Sequence, residues 1–405
     1  MRFVNITPMF LEHKEELCRD LAQLQKNGVI TETAFMMKLN PEGTPPVDAV
    51  TPCVRQFETM RDELRKHSDM PVGILIQAII GHGYWLDSPP ENFQTMKSMP
   101  PENPDNMPHI VCPLDPGFRR YFAETAEKLA ALKPDFMLID DDFRAFSWRN
   151  GCFCPLHVAE FNRRTGGNDT PETLAEKVRN NPQTALRYEH FVGETFADAL
   201  RILRENLDRT APECNVYYCS CVQEIKYAAR FAQVLAAKGS SPVVRINNSR
   251  YTTETMRDFP GRMYTTAYAV SLLRADVPEI LSEPDTFPHN QYSTSAALLN
   301  CHMAGSILEG CNGSKHWITS LKTYEPESGL AYRRILTGYR GFYRVCHELA
   351  RQKRDAGVAC PLPGENFRDF NIYQGARPDL APGIVAVFAR MGIPVNYTDR
   401  AGSLP

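Results

Sequence analysis

The stretch GFRRYFAETAEKLAALKPDFMLIDD, residues 117–141, decides the fold. Its first sixteen residues read as an amphipathic helix. Its last seven, DFMLIDD, read as a short apolar strand that ends in carboxylates. A helix running straight into a strand is half of a parallel crossover unit, because parallel neighbours cannot be joined by a tight turn.

The same unit recurs on both sides of this stretch. Upstream, FVNITPMF (3–10) reads as a strand. A helix follows, with Leu17, Leu21 and Leu24 on one face and a glycine stop. ITETAFMM (30–37) is the next strand, 47–67 the next helix, and PVGILIQAII (71–80) a buried strand by its apolar continuity. A loop rich in proline and asparagine runs from Gly81 to about Asp115. Downstream, a long helical stretch includes 188–207, and strands are expected at 215–221, 242–249, 279–287 and 314–321 with helices between and after them. Eight strand-like runs, each followed by a helix, fill about 350 residues of a 405-residue chain. This suits a (β/α)8 TIM barrel with loop insertions. A doubly wound open sheet is the rival, but no G-x-G-x-x-G follows the first strand. The barrel is expected over 1–358. Residues 359–405 are loop-rich and too few for a core of their own, and read as a linker and the start of a C-terminal α/β domain.

Composition excludes several classes. Hydrophobic residues make up 43% and charged residues 23%, with a formal charge of -3 and a pI near 6.4. No basic stripe with interleaved aromatics suggests nucleic acid, and no apolar run approaches the roughly 18 residues of a membrane span. The N-terminus has no apolar signal segment, so a cytoplasmic protein is expected. Twelve cysteines are scattered along the chain, unlike a disulfide scaffold. Cys18, Cys301 and Cys346 sit in helical apolar patterns and are expected to be buried thiols.

Catalytic groups of such barrels sit at the C-terminal ends of strands. The third strand delivers Gln77, His82 and Trp85, and the fourth Asp140, Asp141, Asp142 and Arg144. The sixth gives Asn247, Asn248, Arg250 and Tyr251, the seventh Glu283, Asp285 and His289, and the eighth Lys315, His316 and Trp317. Carboxylates and amides bond hydroxyl groups, while aromatic faces cover the C–H side of a sugar ring. Paired carboxylates are also what cleavage of a glycosidic bond requires. Asp142 and Glu283 form the best pair, with Asp141, His82, Trp85, Asn247, Trp317 and Arg144 as substrate-binding candidates. The plainer readings are that the aspartates cap a helix or bind Arg144, and that Glu283 pairs with a core arginine. Separately, Cys152, Cys154 and His157 have short zinc-ligand spacing, and Cys112 is the candidate fourth ligand of a closed structural site. Buried thiols are the alternative.

With these residues in view, the chain resembles the glycoside hydrolase family 42 β-galactosidases, of the large clan of (β/α)8 retaining glycosidases. That family's fourth strand ends in Ile-Asp-Asn-Glu and an aromatic. Here IDDDF stands in its place. The resemblance puts Asp142 on the acid/base, Asp141 on the asparagine and Glu283 on the nucleophile. It puts Cys112, Cys152, Cys154 and His157 on a zinc cluster, with His157 replacing a cysteine. It implies no organic cofactor. The tail VFARMGIPVNY is similar to the start of a glutamine amidotransferase-like domain that helps build a homo-trimer. Two positions depart from the pattern, Asn and Glu both having become Asp. Asp142 is one C–C bond, about 1.5 Å, shorter than the glutamate it replaces, a change that would widen the carboxylate gap towards the inverting range unless the backbone compensates.

Three functions compete. The first is a glycosidase acting on a small or oligosaccharide substrate. The second is a metal-dependent barrel enzyme in which Asp140 to Asp142, Glu283 and His82 hold a cation. The third is a barrel that binds sugar without hydrolysing it.

Overall fold

The computed structural model describes residues 1–81, 90–100, 110–145, 151–221, 224–248, 259–286, 289–352, 357–361, 387–388 and 390–398. His82, Trp85, Arg250, Tyr251 and most of 359–405 therefore lie outside the described residues.

The eight expected strands are present: β1 Arg2–Thr7, β2 Glu32–Lys38, β3 Val72–Gln77, β4 Phe136–Ile139, β5 Asn215–Ser220, β6 Val243–Ile246, β7 Glu279–Leu281 and β8 Gly313–His316. They are shorter than the apolar runs that announced them, since only the paired part of each run counts as strand. All pair in parallel, in the order β7-β6-β5-β4-β3-β2-β1-β8. A parallel bridge between Ser282 and Ser314 joins the two ends. Ser282 N–H donates to the Gly313 carbonyl at 3.0 Å and Lys315 N–H to that of Ser282 at 2.9 Å. The sheet is a closed (β/α)8 barrel.

Helices wrap it: α1 Lys14–Lys26, α2 Val50–Leu64, α3 Pro116–Ala131, then α4 Pro155–Thr165, α5 Pro171–Asn180 and α6 Pro182–Thr210 between β4 and β5. After them come α7 Ile225–Leu235, α8 Phe259–Leu273, α9 Ala296–Leu308 and α10 Leu330–Arg351. Beyond α10, β9 Val358–Pro361 and β10 Val395–Thr398 form a separate two-stranded parallel sheet. Among the described residues, no helix is long and apolar enough to cross a membrane.

The strand alternation separates two cores. Met137 and Ile139 of β4 pack outward with Phe122, Phe196 and other helix residues. Phe136 and Leu138 point inward with Val4, Ile6, Ala34, Leu75, Tyr217 and Leu281. The interior is tight: a Cβ on Gly73 would meet the Phe136 ring at 2.5 Å. Cys18 and Cys346 are buried as expected, but Cys301 is exposed. It lies on the face of α9 turned away from the barrel, so its apolar helical context does not bury it.

Candidate active site

The inward alternation of β4 carries past Leu138 to Asp140. There Arg245 Nη2 lies 3.1 Å from its Oδ1, Lys315 Nζ lies 3.5 Å away, and Gln77 Nε2 donates to Oδ2 at 3.4 Å. Arg245 is the inward residue of β6 that follows Val243, and it is 1% exposed. Its Nη1 is 3.4 Å from Asp141 Oδ2 and 3.1 Å from Glu283 Oε2. Lys315 Nζ is 3.7 Å from Glu283 Oε1. One guanidinium therefore joins the carboxylates of β4 to that of β7. The Asp141 and Glu283 oxygens can be no farther apart than those two contacts placed end to end.

The three aspartates face different ways. Asp141 accepts from Asn247 Nδ2 at 3.1 Å, while Arg144 Nε donates to its carbonyl at 2.8 Å. Asp142 turns towards β3, where its Oδ2 accepts from the Ala78 N–H at 2.6 Å. Ala78 has a φ of 58°, a strained value for a side-chain-bearing residue, and the carboxylate holds it. So the sequence pair Asp142 and Glu283 is not the one that Arg245 unites; Asp141 and Glu283 are. Glu283 is anchored through its own N–H, which donates to Asn248 Oδ1 at 2.9 Å, and Asn248 Nδ2 donates to Thr266 and Ser306.

Trp317 is 2% exposed. Its ring lies 4.4 Å from that of His289 and 5.5 Å from the Lys315 ammonium. His289 Nε2 is 3.1 Å from Asp285 Oδ1, and His289 has a left-handed φ of 60°. The stacking face expected of Trp317 is thus partly covered by an Asp–His pair from the loop after β7. Asn247 and Arg144, named from the sequence as substrate-binding candidates, both lie against Asp141.

Electrostatics divide the acids. Burial pushes Asp142 well above the usual carboxylate range, and Asp140 and Asp141 beside it add to the rise. Burial also raises Asp141, but Arg245, Arg144 and Lys315 more than offset this and hold it below the usual range. Burial lifts Glu283 to about 8 even against Arg245 and Lys315. Burial would raise Asp285 too, yet His289 lowers it. Five buried or nearly buried carboxyls, Asp140, Asp141, Asp142, Glu283 and Asp285, thus face three permanent cations, Arg144, Arg245 and Lys315.

Arg245 is the residue that the sequence reading passes over. Its signal is a charge inside the apolar strand run PVVRINNS, two residues before Asn247 and so on the same face.

Cys112, Cys152, Cys154 and His157 are all buried, with one donor atom of each within 4.8 Å of the others. Cys112 Sγ lies 3.2 Å from His157 Nδ1, Cys154 Sγ 3.4 Å from Nδ1, and the two sulfurs 3.5 Å apart. Those separations are close to the edges of a tetrahedron built on Zn–S and Zn–N bonds of about 2.3 and 2.0 Å. His157 Nε2 faces Thr195 Oγ1 at 3.1 Å, a partner that orients a metal-binding imidazole. Three cysteines and one histidine fill four positions, so the donor set fits a closed structural zinc. Among the described residues, no other group of His, Cys, Asp or Glu stands out as a metal site.

No sequence-family profile matches the chain, and no curated protein matches it. Solved structures share its fold. A β-galactosidase from Bacillus circulans sp. alkalophilus superposes with a TM-score of 0.55 at 12% identity, covering 89% of this chain and 58% of its own. The β-galactosidase of the haloarchaeon Halorubrum lacusprofundi gives 0.58 at 14%, covering 100% and 67%. A family 5 glycoside hydrolase from Streptomyces cattleya, solved with GlcNAc, gives 0.50 at 15%, covering 98% and 92%. The chain thus spans about three fifths of the first of these enzymes and nearly all of the last.

Proposed function

We propose that the protein is a glycoside hydrolase that acts with a pair of carboxyl groups at the C-terminal mouth of the barrel. The observation that carries this reading is Arg245, whose Nη1 lies within 3.4 Å of both Asp141 and Glu283. A β4 acid and a β7 acid face one point from opposite sides of the barrel, as bond cleavage between them requires. Their environments push them apart in charge, Glu283 towards the protonated form and Asp141 towards the ionised one. Such a split sorts an acid from its charged partner. Glu283 then donates a proton to the leaving oxygen. Asp141 attacks the anomeric carbon or stabilises its positive charge. This is the reverse of the roles implied by the family resemblance, and it moves the β4 role from Asp142 to Asp141. β-Galactosidases among the neighbours favour a β-galactoside as the first substrate to try.

The metal-dependent reading is disfavoured by charge. Arg245 and Lys315 already lie against oxygens of Asp140 and Glu283 that a divalent ion would need. Zinc belongs instead to the Cys112, Cys152, Cys154 and His157 cluster, where it would tie the loops after β3 and β4 together.

The test is kinetic. Asp141→Asn, Asp142→Asn and Glu283→Gln are assayed on aryl β-glycosides with good and poor leaving groups. Loss of at least about a hundredfold is expected for Asp141→Asn and Glu283→Gln. The loss in Glu283→Gln should be far smaller on good leaving groups, and wild-type kcat/KM should fall above about pH 8. If Asp142→Asn is inactive and Asp141→Asn is not, the pair is Asp142 and Glu283. If all three retain wild-type rates, or no glycoside is turned over, the hydrolase reading fails and a sugar-binding barrel takes its place.

A further inference from the structure

The outer surface of α10 is unlike the outer surfaces of the other helices. Phe342, Val345 and Leu349 are 48%, 49% and 55% exposed. They succeed one another at i, i+3 and i+7, so they form one stripe along a helix of 22 residues, about 33 Å long. Gly338 and Gly341 continue the stripe, and nothing lies within 4 Å of where a Cβ of either would stand. The opposite face, with Tyr332, Leu336, Tyr343 and Cys346, is already buried. An apolar row of this kind on a water-facing helix marks a docking surface.

The charges beside the stripe say what docks there. α10 carries five arginines, Arg333, Arg334, Arg340, Arg344 and Arg351, and one acid, Glu348. In parallel pairing with an identical helix, Arg344 would face Arg344. In antiparallel pairing about a twofold axis near Val345, three matches occur in one register. Phe342 meets Leu349 of the second copy, Val345 meets its own equivalent, and Arg344 meets Glu348. A twofold axis across the helices brings each flank against the same flank of the other copy. Arg344 and Glu348 share a flank, being four residues apart. The helix's one acid therefore has a cation opposite it, twice per pair.

We propose that α10 is a self-complementary interface through which two copies of this chain associate antiparallel. The glycines let the two backbones approach, and the Arg344–Glu348 pairs set the direction. This does not depend on the catalytic reading, since α10 lies on the outside of the barrel. A contact centred on one helix lies at the small end of stable interfaces, so the association is concentration-dependent.

Sedimentation equilibrium of the 405-residue chain over a wide concentration range tests this. A monomer–dimer equilibrium is expected. Arg344→Glu and Glu348→Arg should each weaken it by about tenfold or more, since each turns two attractions into two repulsions. Thermal unfolding of each variant confirms that the exposed substitutions leave the fold intact. An equimolar mixture of the two single variants should regain dimers, as should the double variant R344E/E348R. Two results overturn the proposal. One is a chain monomeric at every concentration, which means that another segment or another protein covers the stripe. The other is an assembly that ignores both the charge swaps and the mixing.

Discussion

Glu283 is the residue on which the site's pH behaviour turns. Burial lifts its carboxyl from the ordinary 4.5 to about 8. The folded chain therefore keeps a proton there that the unfolded chain releases. The sign follows from linkage: the associated stability is complete below about pH 4.5 and is lost as pH rises to about 8. Glu283→Gln, which imitates the protonated form and cannot ionise, should not show that loss. The melting temperature of the variant is expected to gain on that of the wild type between pH 5 and pH 8. A difference that does not move with pH would mean that Arg245 and Lys315 keep Glu283 ionised throughout. At this scale the sequence is only partly legible. Three adjacent aspartates at a strand end announce a site. Which one faces it depends on Ala78, 64 residues upstream, whose N–H claims Asp142. Past Asp140 the strand alternation has ended, so no period in the sequence assigns the direction of Asp141 or Asp142.

At the scale of elements, alternating strands and helices made the barrel readable, because each parallel pairing needs a crossover that the sequence must spell out. The loops are less legible, since they are fixed by contacts rather than by periodicity. The cysteine cluster is the main such contact. Phe153 N–H donates to the Lys97 carbonyl at 2.8 Å, and Cys112 N–H to that of Gln94 at 2.8 Å. The cluster thus fastens the segment after β3 to the N-terminus of α4. Tyr188 of α6 adds a bond to the Cys152 carbonyl at 2.5 Å. If zinc sits there, the purified protein should contain about one zinc per chain, and strong chelation should lower its melting temperature. Thr195→Val removes the partner of His157 Nε2 but no donor atom, and should weaken zinc affinity by about 10–100-fold. Elemental analysis and competition with a chromogenic chelator measure both. Metal-free protein of unchanged stability would reduce the cluster to packed thiols.

On the scale of the whole molecule, a second arginine cluster lies at the end of the barrel opposite the proposed site. At the N-terminal end of the strands, Arg2 Nε contacts Glu279 at 2.6 Å and its Nη1 contacts Glu32 at 2.8 Å, with Tyr217 as a further partner. These residues come from β1, β2, β5 and β7, so one guanidinium gathers strands on either side of the β7–β8 closure. Burial raises the Glu32 carboxyl, and Arg2 opposes that rise. Arg245 does the same work at the other end, but among groups that face the mouth. Each end of the barrel thus has a central arginine among carboxylates. Loss of Arg2 would strand Glu32 in a largely buried position. Arg2→Met is expected to cost about 2–3 kcal/mol of stability and to leave kcat/KM of the folded protein for the proposed reaction unchanged. Arg245→Met should instead lose turnover, because it releases both Asp141 and Glu283. Denaturant melts and steady-state rates on the two variants give a two-by-two comparison. If Arg2→Met impairs the chemistry as much as Arg245→Met does, the two ends are coupled through the barrel core, and the arginine at the mouth has no special claim to the reaction.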